Sequence, residues 1–282
     1  MFLKSIRIKG AINLIGKYHS QITTEALSSS FNNSAINYIE QGNLDSDKLR
    51  SKIPNITDGY NLSAQHFNKT TLQNCDEFLE KAQDVVVDDF IQAAKADDKD
   101  ADEYYEQAFY DLGRLVHNIQ DFYSHTNFVN LNQDEIWNED IENPNVDKKN
   151  QLKTGEYSYF SQFIDKINPF YKWFIEKNYE DMYEGTSAIS HYGLNKDEPN
   201  TIADRIYKEK FGVSAFDLAE DFATAHTKEK WEEINSILRE ELTAAEYSSL
   251  CRDIASFDLD GEDYYENLQT LRANFNEDIK EA

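Results

Sequence analysis

The chain has 282 residues, 40% of them hydrophobic and 13% aromatic, enough to bury a substantial core and unlike a disordered chain. Its net charge of −25 repels nucleic acid and anionic surfaces, which counts against a general polyanion binder. Two cysteines, Cys75 and Cys251, give neither a disulfide framework nor a Cys-based zinc site and are expected in the core as small hydrophobes.

Only 10 Gly and 4 Pro punctuate the chain, so long periodic stretches dominate and the predicted fold class is all-α. The opening MFLKSIRIKGAINLIGKYHS has scattered basic residues and no unbroken apolar run, and no later segment is apolar enough to span a bilayer. Cytoplasmic synthesis is the expectation; export by a dedicated secretion system would leave no readable trace. A first helix is predicted from Thr23 or Thr24, with Glu25 in its first turn, to about Glu40. GNLDSDKLRSKIPNITDGYN follows as a loop rich in turn residues, and Thr70 to Lys95 returns to helical spacing. After ADDKDADE a helix of about residues 101–130 is expected, its core contacts made by Leu112, Leu115, Val116, Ile119 and Phe122. Residues 132–156 read as a long polar loop, 157–180 as an aromatic helix and SHYGLNKDEPN as another loop. Ser214 to about Glu241 is helical again. The chain divides into a helical domain, 1–241, and an acidic helical extension, 242–282, that contains no histidine.

The chemistry concentrates in HNIQDFYSH. His117, Asp121 and His125 stand at i, i+4 and i+8, which lie along one helix face. Of the other histidines, His19 sits at a predicted loop-to-helix junction, His66 follows a turn-rich loop eight residues after Asp58, and His191 precedes Asp197 by six. Gly113, one turn before His117, admits another backbone at close range. Imidazole and carboxylate without thiolate suit zinc, manganese or iron, and several such ligands around one aspartate suit multinuclear hydrolytic chemistry. The sequence contains no HExxH, no Glu-x-x-His pair and no Gly-x-Ser-x-Gly elbow. SFDLDGEDYYEN resembles a calcium loop but has Ser256 and Asn267 where acids are most needed. His226 fits no ligand position and reads as structural.

These segments carry a resemblance. LGRLVHNIQDFYSHTNFVNL, YHSQITTEAL, AQHFN and SHYGLNKDEP together resemble the zinc-dependent phospholipase C superfamily, and within it the Het-C branch, named for a fungal heterokaryon-incompatibility protein. The matching motifs span about residues 18 to 230, HNIQDFYSHTNFV being the most specific. The resemblance implies a helical bundle holding two or three zinc ions and hydrolysing phosphodiester bonds of phospholipids, or of nucleic acid in the related nuclease branch. Carried over, His19 would ligate one zinc with Asp121. Asp58, His66 and His117 would hold a second, Asp121 bridging the two, and His125, His191 and Asp197 would hold the third. Asp58 and Asp121 would be the catalytic carboxylates, Asp58 also orienting the nucleophile. Secreted members complete one zinc with the amine of an N-terminal Trp, whereas here 18 residues precede His19 and the first Trp is Trp137. The phospholipases' third site also uses a His-x-x-x-Glu pair that this chain lacks, which leaves Asp197 as its carboxylate. The Het-C likeness implies a toxin or cell-death effector in microbial conflict, with a phospholipid or membrane surface as partner and an immunity or regulatory protein as a second. Two rivals stand beside it: a non-catalytic membrane-acting or interaction protein braced by metals, and a nuclease, which the charge disfavours.

Overall fold

The computed structural model describes residues 14–49, 66–67, 72–97, 101–139, 152–155 and 194–258. Their helices, numbered among themselves, are α1 (Leu14–Leu27), α2 (Asn33–Leu49), α3 (Leu72–Lys95), α4 (Ala101–His125), α5 (Phe128–Leu131), α6 (Ile202–Phe211), α7 (Ala215–Glu241) and α8 (Ala244–Ser256). Among the described residues there is no strand, only an isolated antiparallel bridge between Thr126 and Thr154. The fold is mostly helical. No described helix is long and apolar enough to cross a membrane.

Helix α4 is the axis. It runs about 37 Å at 1.5 Å per residue, and every residue from Gln107 to Tyr123 is buried. A helix buried all round must be enclosed by neighbours, and α2, α3 and α7 pack against it. Phe109 of α4 meets Phe31, Phe90 and Phe257 at 5.8, 5.8 and 5.0 Å between ring centroids, which ties α3 and the chain beyond α8 into one core.

Two glycines set how closely α2 lies on α4. A Cβ at Gly42 would fall 1.9 Å from the Tyr110 carbonyl oxygen, and one at Gly113 would fall 2.0 Å from that of Ile39. No larger residue fits either backbone approach, as expected for Gly113.

Several predicted boundaries shift. Thr23 and Thr24 lie inside α1, whose buried face is His19, Ile22, Thr23, Ala26 and Leu27; spacings of three and four carry the helix past the threonines. His19 is therefore in the helix body and not at a junction. The break comes at Ser28–Asn32, where the Asn32 side chain accepts from the amide of Ala35 and starts α2. Gly42–Leu49 is helical, not loop. The helix expected over 101–130 stops at His125 and resumes for one turn at Phe128. Helix α7 begins as expected, Ser214 accepting from Asp217 N, and ends at Glu241. Cys75 is buried, but Cys251 is exposed on α8, whose Leu250 and Ile254 face the core instead. The predicted 157–180 helix and the part of the acidic extension from residue 259 on lie outside the described residues.

Candidate metal centre

Five side chains predicted as ligands converge on one carboxylate. Helix α4 supplies His117, Asp121 and His125 from one face; α1 contributes His19, the 66–67 turn His66, and the segment after Leu194 Asp197. His66 Nδ1 lies 2.7 Å, His117 Nε2 3.2 Å and His125 Nδ1 3.5 Å from Asp121 Oδ2, while His19 Nε2 lies 3.4 Å from Oδ1. His117 Nε2 is also 3.1 Å from His66 Nδ1, and His125 Nε2 is 2.9 Å from Asp197 Oδ1. All six residues are buried. Asp58 and His191 lie outside the described residues.

The local chain explains each arrival. Phe67 sits in the left-handed region, φ 48°, with its ring against Phe122 at 5.2 Å and Trp137 at 6.2 Å, which turns His66 inward. Beyond His125, two segments wrap the end of α4. Gly155 N donates to His125 O and Lys196 N to Ser124 O, so orphan carbonyls of the last turn gain partners. Lys196 Nζ donates to the carbonyls of Thr126 and Leu194, both at 2.8 Å, and this fixes the neighbouring Asp197 opposite His125. Burial pushes the Lys196 ammonium down to about 7, against the pull of Asp197.

An outer layer of polar groups orients the rings, and most of it follows no pattern along the chain. Asn43 Oδ1 faces His117 Nδ1 at 3.0 Å, Gln120 Oε1 faces His19 Nδ1 at 2.7 Å, and the His66 backbone carbonyl faces His125 Nδ1 at 3.1 Å. Asn43 Nδ2 donates to Gln120 Oε1 and to Thr23 Oγ1, and Gln120 Nε2 also donates to Thr23, which fixes both amides. A carbonyl oxygen only accepts, so all three imidazoles carry their proton on Nδ1 and turn the Nε2 lone pair inward. That is the arrangement metal-ligating histidines use. Gln120 was findable as a third polar residue on the His117 and Asp121 face; Asn43 and Thr23 had no pattern to reveal them.

The inward nitrogens crowd against carboxylate oxygens, and that of His117 also lies 3.1 Å from His66 Nδ1. His19 Nε2 and His117 Nε2 face Asp121, and His125 Nε2 faces Asp197. Placing a proton in each gap would pack three imidazolium ions into a buried site at heavy Coulomb and desolvation cost. A divalent cation satisfies two or more of these acceptors at once. The donor set therefore fits metal. It forms two groups whose ligand atoms lie within 4.8 Å of one another, His19–His117–Asp121 and Asp121–His125–Asp197, with Asp121 shared. Burial alone would raise the Asp121 carboxyl; positive charge on the side of His117 and His125 outweighs it and holds the group well below the usual carboxylate range, the part a bound cation would take.

A cleft reaches this cluster from the surface. Its lining includes His19, Lys196 and Asp197 together with Tyr18, Ile22, Phe216, Ala219 and Glu220, around about 310 Å³ of space that is partly open to solvent. Tyr18 and Phe216 meet edge to face at 4.8 Å.

His226 behaves as expected for a structural histidine. Its Nδ1 lies 2.9 Å from Tyr123 Oη and its Nε2 2.7 Å from Glu139 Oε1, and it joins neither ligand group.

Residues 18–156 match the family model of the VWA7 N-terminal domain. The matched span includes His19, His66, His117, Asp121 and His125 and ends before Asp197. No curated protein and no solved structure matches the chain.

Proposed function

We propose that this chain is a zinc-dependent phosphodiesterase of the phospholipase C type, nearest the Het-C branch, acting on phospholipid head groups. The observation that carries the reading is the set of three imidazoles whose Nδ1 atoms meet carbonyl oxygens and whose Nε2 atoms point at Asp121 and Asp197. His19, His117 and Asp121 would hold one ion, Asp121, His125 and Asp197 another, with His66 at the shared Asp121 oxygen. Asp58 and His191 are the additional ligands that the sequence resemblance supplies. Bound zinc lowers the pKa of a water and withdraws charge from phosphoryl oxygens.

The chain's own groups do the rest. Asp121 keeps its negative charge between the two ligand groups. Asn43, Gln120 and the His66 carbonyl hold the rings so that little reorganisation is needed. A phosphoester would approach through the cleft beside His19 and Asp197, along a largely apolar wall. Glu220 Oε1 is buried there without a hydrogen-bond partner. Burial, together with Glu25, Asp217 and Asp221, raises that carboxyl. An ammonium on the head group would relieve this repulsion and lie against the Tyr18 and Phe216 rings, so zwitterionic lipids are favoured over phosphatidylglycerol and DNA.

The depth of the cluster favours a second reading: with His117 at 0% and Asp121 at 1% exposure, the ions would brace the bundle and catalyse nothing. Metal analysis of protein purified without added metal, run beside initial rates on phosphatidylcholine, phosphatidylethanolamine, phosphatidylglycerol and single-stranded DNA at low and moderate salt, decides between them. We expect more than one zinc per chain and the fastest turnover on the zwitterionic lipids. Fastest cleavage of DNA at low salt would replace the phospholipase by a nuclease, and metal without turnover would select the brace.

A further inference from the structure

The described residues expose three large hydrophobic side chains, and two of them stand together: Phe211 at 46% and Val213 at 44%. They occupy the turn between α6 and α7, where Gly212 closes α6 at φ 80° and every residue from Lys208 to Val213 is exposed. The turn stands on a fixed base. Asp204 accepts from Asn200 N, Ser214 Oγ and Phe216 N, joining the start of α6 to that of α7, and Tyr207 Oη donates to Val129 O. Phe211 rests one side of its ring on Tyr207 at 4.6 Å, so the turn leaves its outer side and Val213 in water.

Their setting indicates what covers them. Lys208 and Lys210 flank the pair with Glu209 between them, leaving a local charge of +1 on a chain of −25, and Lys210 Nζ lies 5.5 Å over the Phe211 ring. Lysine stems that follow an apolar tip and present ammonium groups around it match the step from acyl chains to head-group phosphates in a bilayer. The tip also adjoins the cleft: Phe216 is three positions after Val213, at most about 11 Å of chain, and Phe216 lines the cleft with His19 and Asp197. Lys17 lies on the cleft side too, its Nζ 5.1 Å over the Tyr18 ring.

We propose that the α6–α7 turn is a membrane-docking tip, Phe211 and Val213 entering the bilayer interface with Lys208 and Lys210 at the phosphates, so that the cleft mouth rests on the lipid surface. The proposal deepens the phospholipid reading, and docking is measured without turnover, so the two can fail separately. The test sediments the zinc-loaded full chain with vesicles of phosphatidylcholine alone and with a minor fraction of phosphatidylglycerol. It compares wild type, Phe211→Ser with Val213→Ser, and Lys208→Gln with Lys210→Gln, and measures rates on a soluble short-chain phosphatidylcholine. Wild type binds both vesicles. The serine pair, still folded by circular dichroism, binds and hydrolyses vesicles about tenfold less and hydrolyses the soluble lipid at the wild-type rate. The glutamine pair binds both vesicles less tightly than wild type, with the larger loss where phosphatidylglycerol is present. Wild type that ignores vesicles, or a serine pair that binds them as tightly as wild type, overturns the tip and leaves the patch to a protein partner. Vesicle binding without hydrolysis of either lipid keeps the tip and removes the phosphodiesterase.

Discussion

Two buried histidine networks lie on opposite sides of the end of α4, and they are completed differently. Tyr123 is two residues from both Asp121 and His125, so it leaves the helix on the far side from them. There Trp137 N donates to Tyr123 Oη, Tyr123 donates to His226 Nδ1, and His226 donates to Glu139. Lys230 closes that network with Glu139, Glu233 and Gln83, each at 2.8 Å. Every donor there meets an acceptor within the protein. Around Asp121 the outward nitrogens are equally well placed, but the inward ones of His19 and His117 face the Asp121 carboxylate and that of His125 faces Asp197. Burial therefore does not separate a ligand from a structural histidine, since both sets are buried. The group facing the second nitrogen does.

The comparison breaks most sharply at Asp121. Asp121→Asn should lower metal content below one ion per chain and cut phosphodiester turnover by a hundredfold or more, because it removes the carboxylate shared by both ligand groups. His226→Ala should keep the metal and instead lower the melting temperature, costing about 1–3 kcal/mol as Glu139 and Tyr123 lose their partner. Metal analysis and thermal melts on both variants check this, and equal metal loss would erase the distinction between the two networks. Next comes the outer layer. Asn43→Ala leaves His117 free to move its proton to Nε2, and zinc affinity measured by competition with a chelator should fall about 10–100-fold.

The smallest effect sharpens the other side. Glu139 is pushed down to about 2: burial would raise it, and His226 and Lys230 more than reverse this. Its folded-state pKa lies below the unfolded one, so its stabilisation is present above about pH 4.5 and fades as pH falls towards 2. The difference in stability between wild type and Glu139→Gln should follow that window, reaching about 1–2 kcal/mol at neutral pH and vanishing in acid. A difference that is flat across pH would show that the charge is not what holds the network.

Much of the axis was legible. The i, i+4, i+8 spacing of His117, Asp121 and His125 needs only helical geometry, and the helical stretch expected from Ser214 to about Glu241 coincides with α7. Residues 42–49 misled for an instructive reason. Gly42, Asn43, Asp45 and Ser46 read as turn formers, yet Gly42 is small because the Tyr110 carbonyl lies against it. Asn43, Asp45 and Ser46 are buried, with Asn43 orienting a histidine ring. The residues that serve the site thus imitate the composition of a loop. Asn43 and Thr23 were invisible because a lone amide or hydroxyl in a helix has no period, and the meeting of residues 19, 66, 121 and 197 depends on tertiary packing that no local window contains.

The reciprocal glycine contact between α2 and α4 has a consequence for hydrogen exchange. With Gly42 set on Tyr110 and Gly113 on Ile39, the two helices cannot part at one point without separating along the shared length. Their amides over about residues 36–46 and 108–122 should open as one cooperative unit at the protection of global unfolding, while the exposed α6–α7 turn exchanges early.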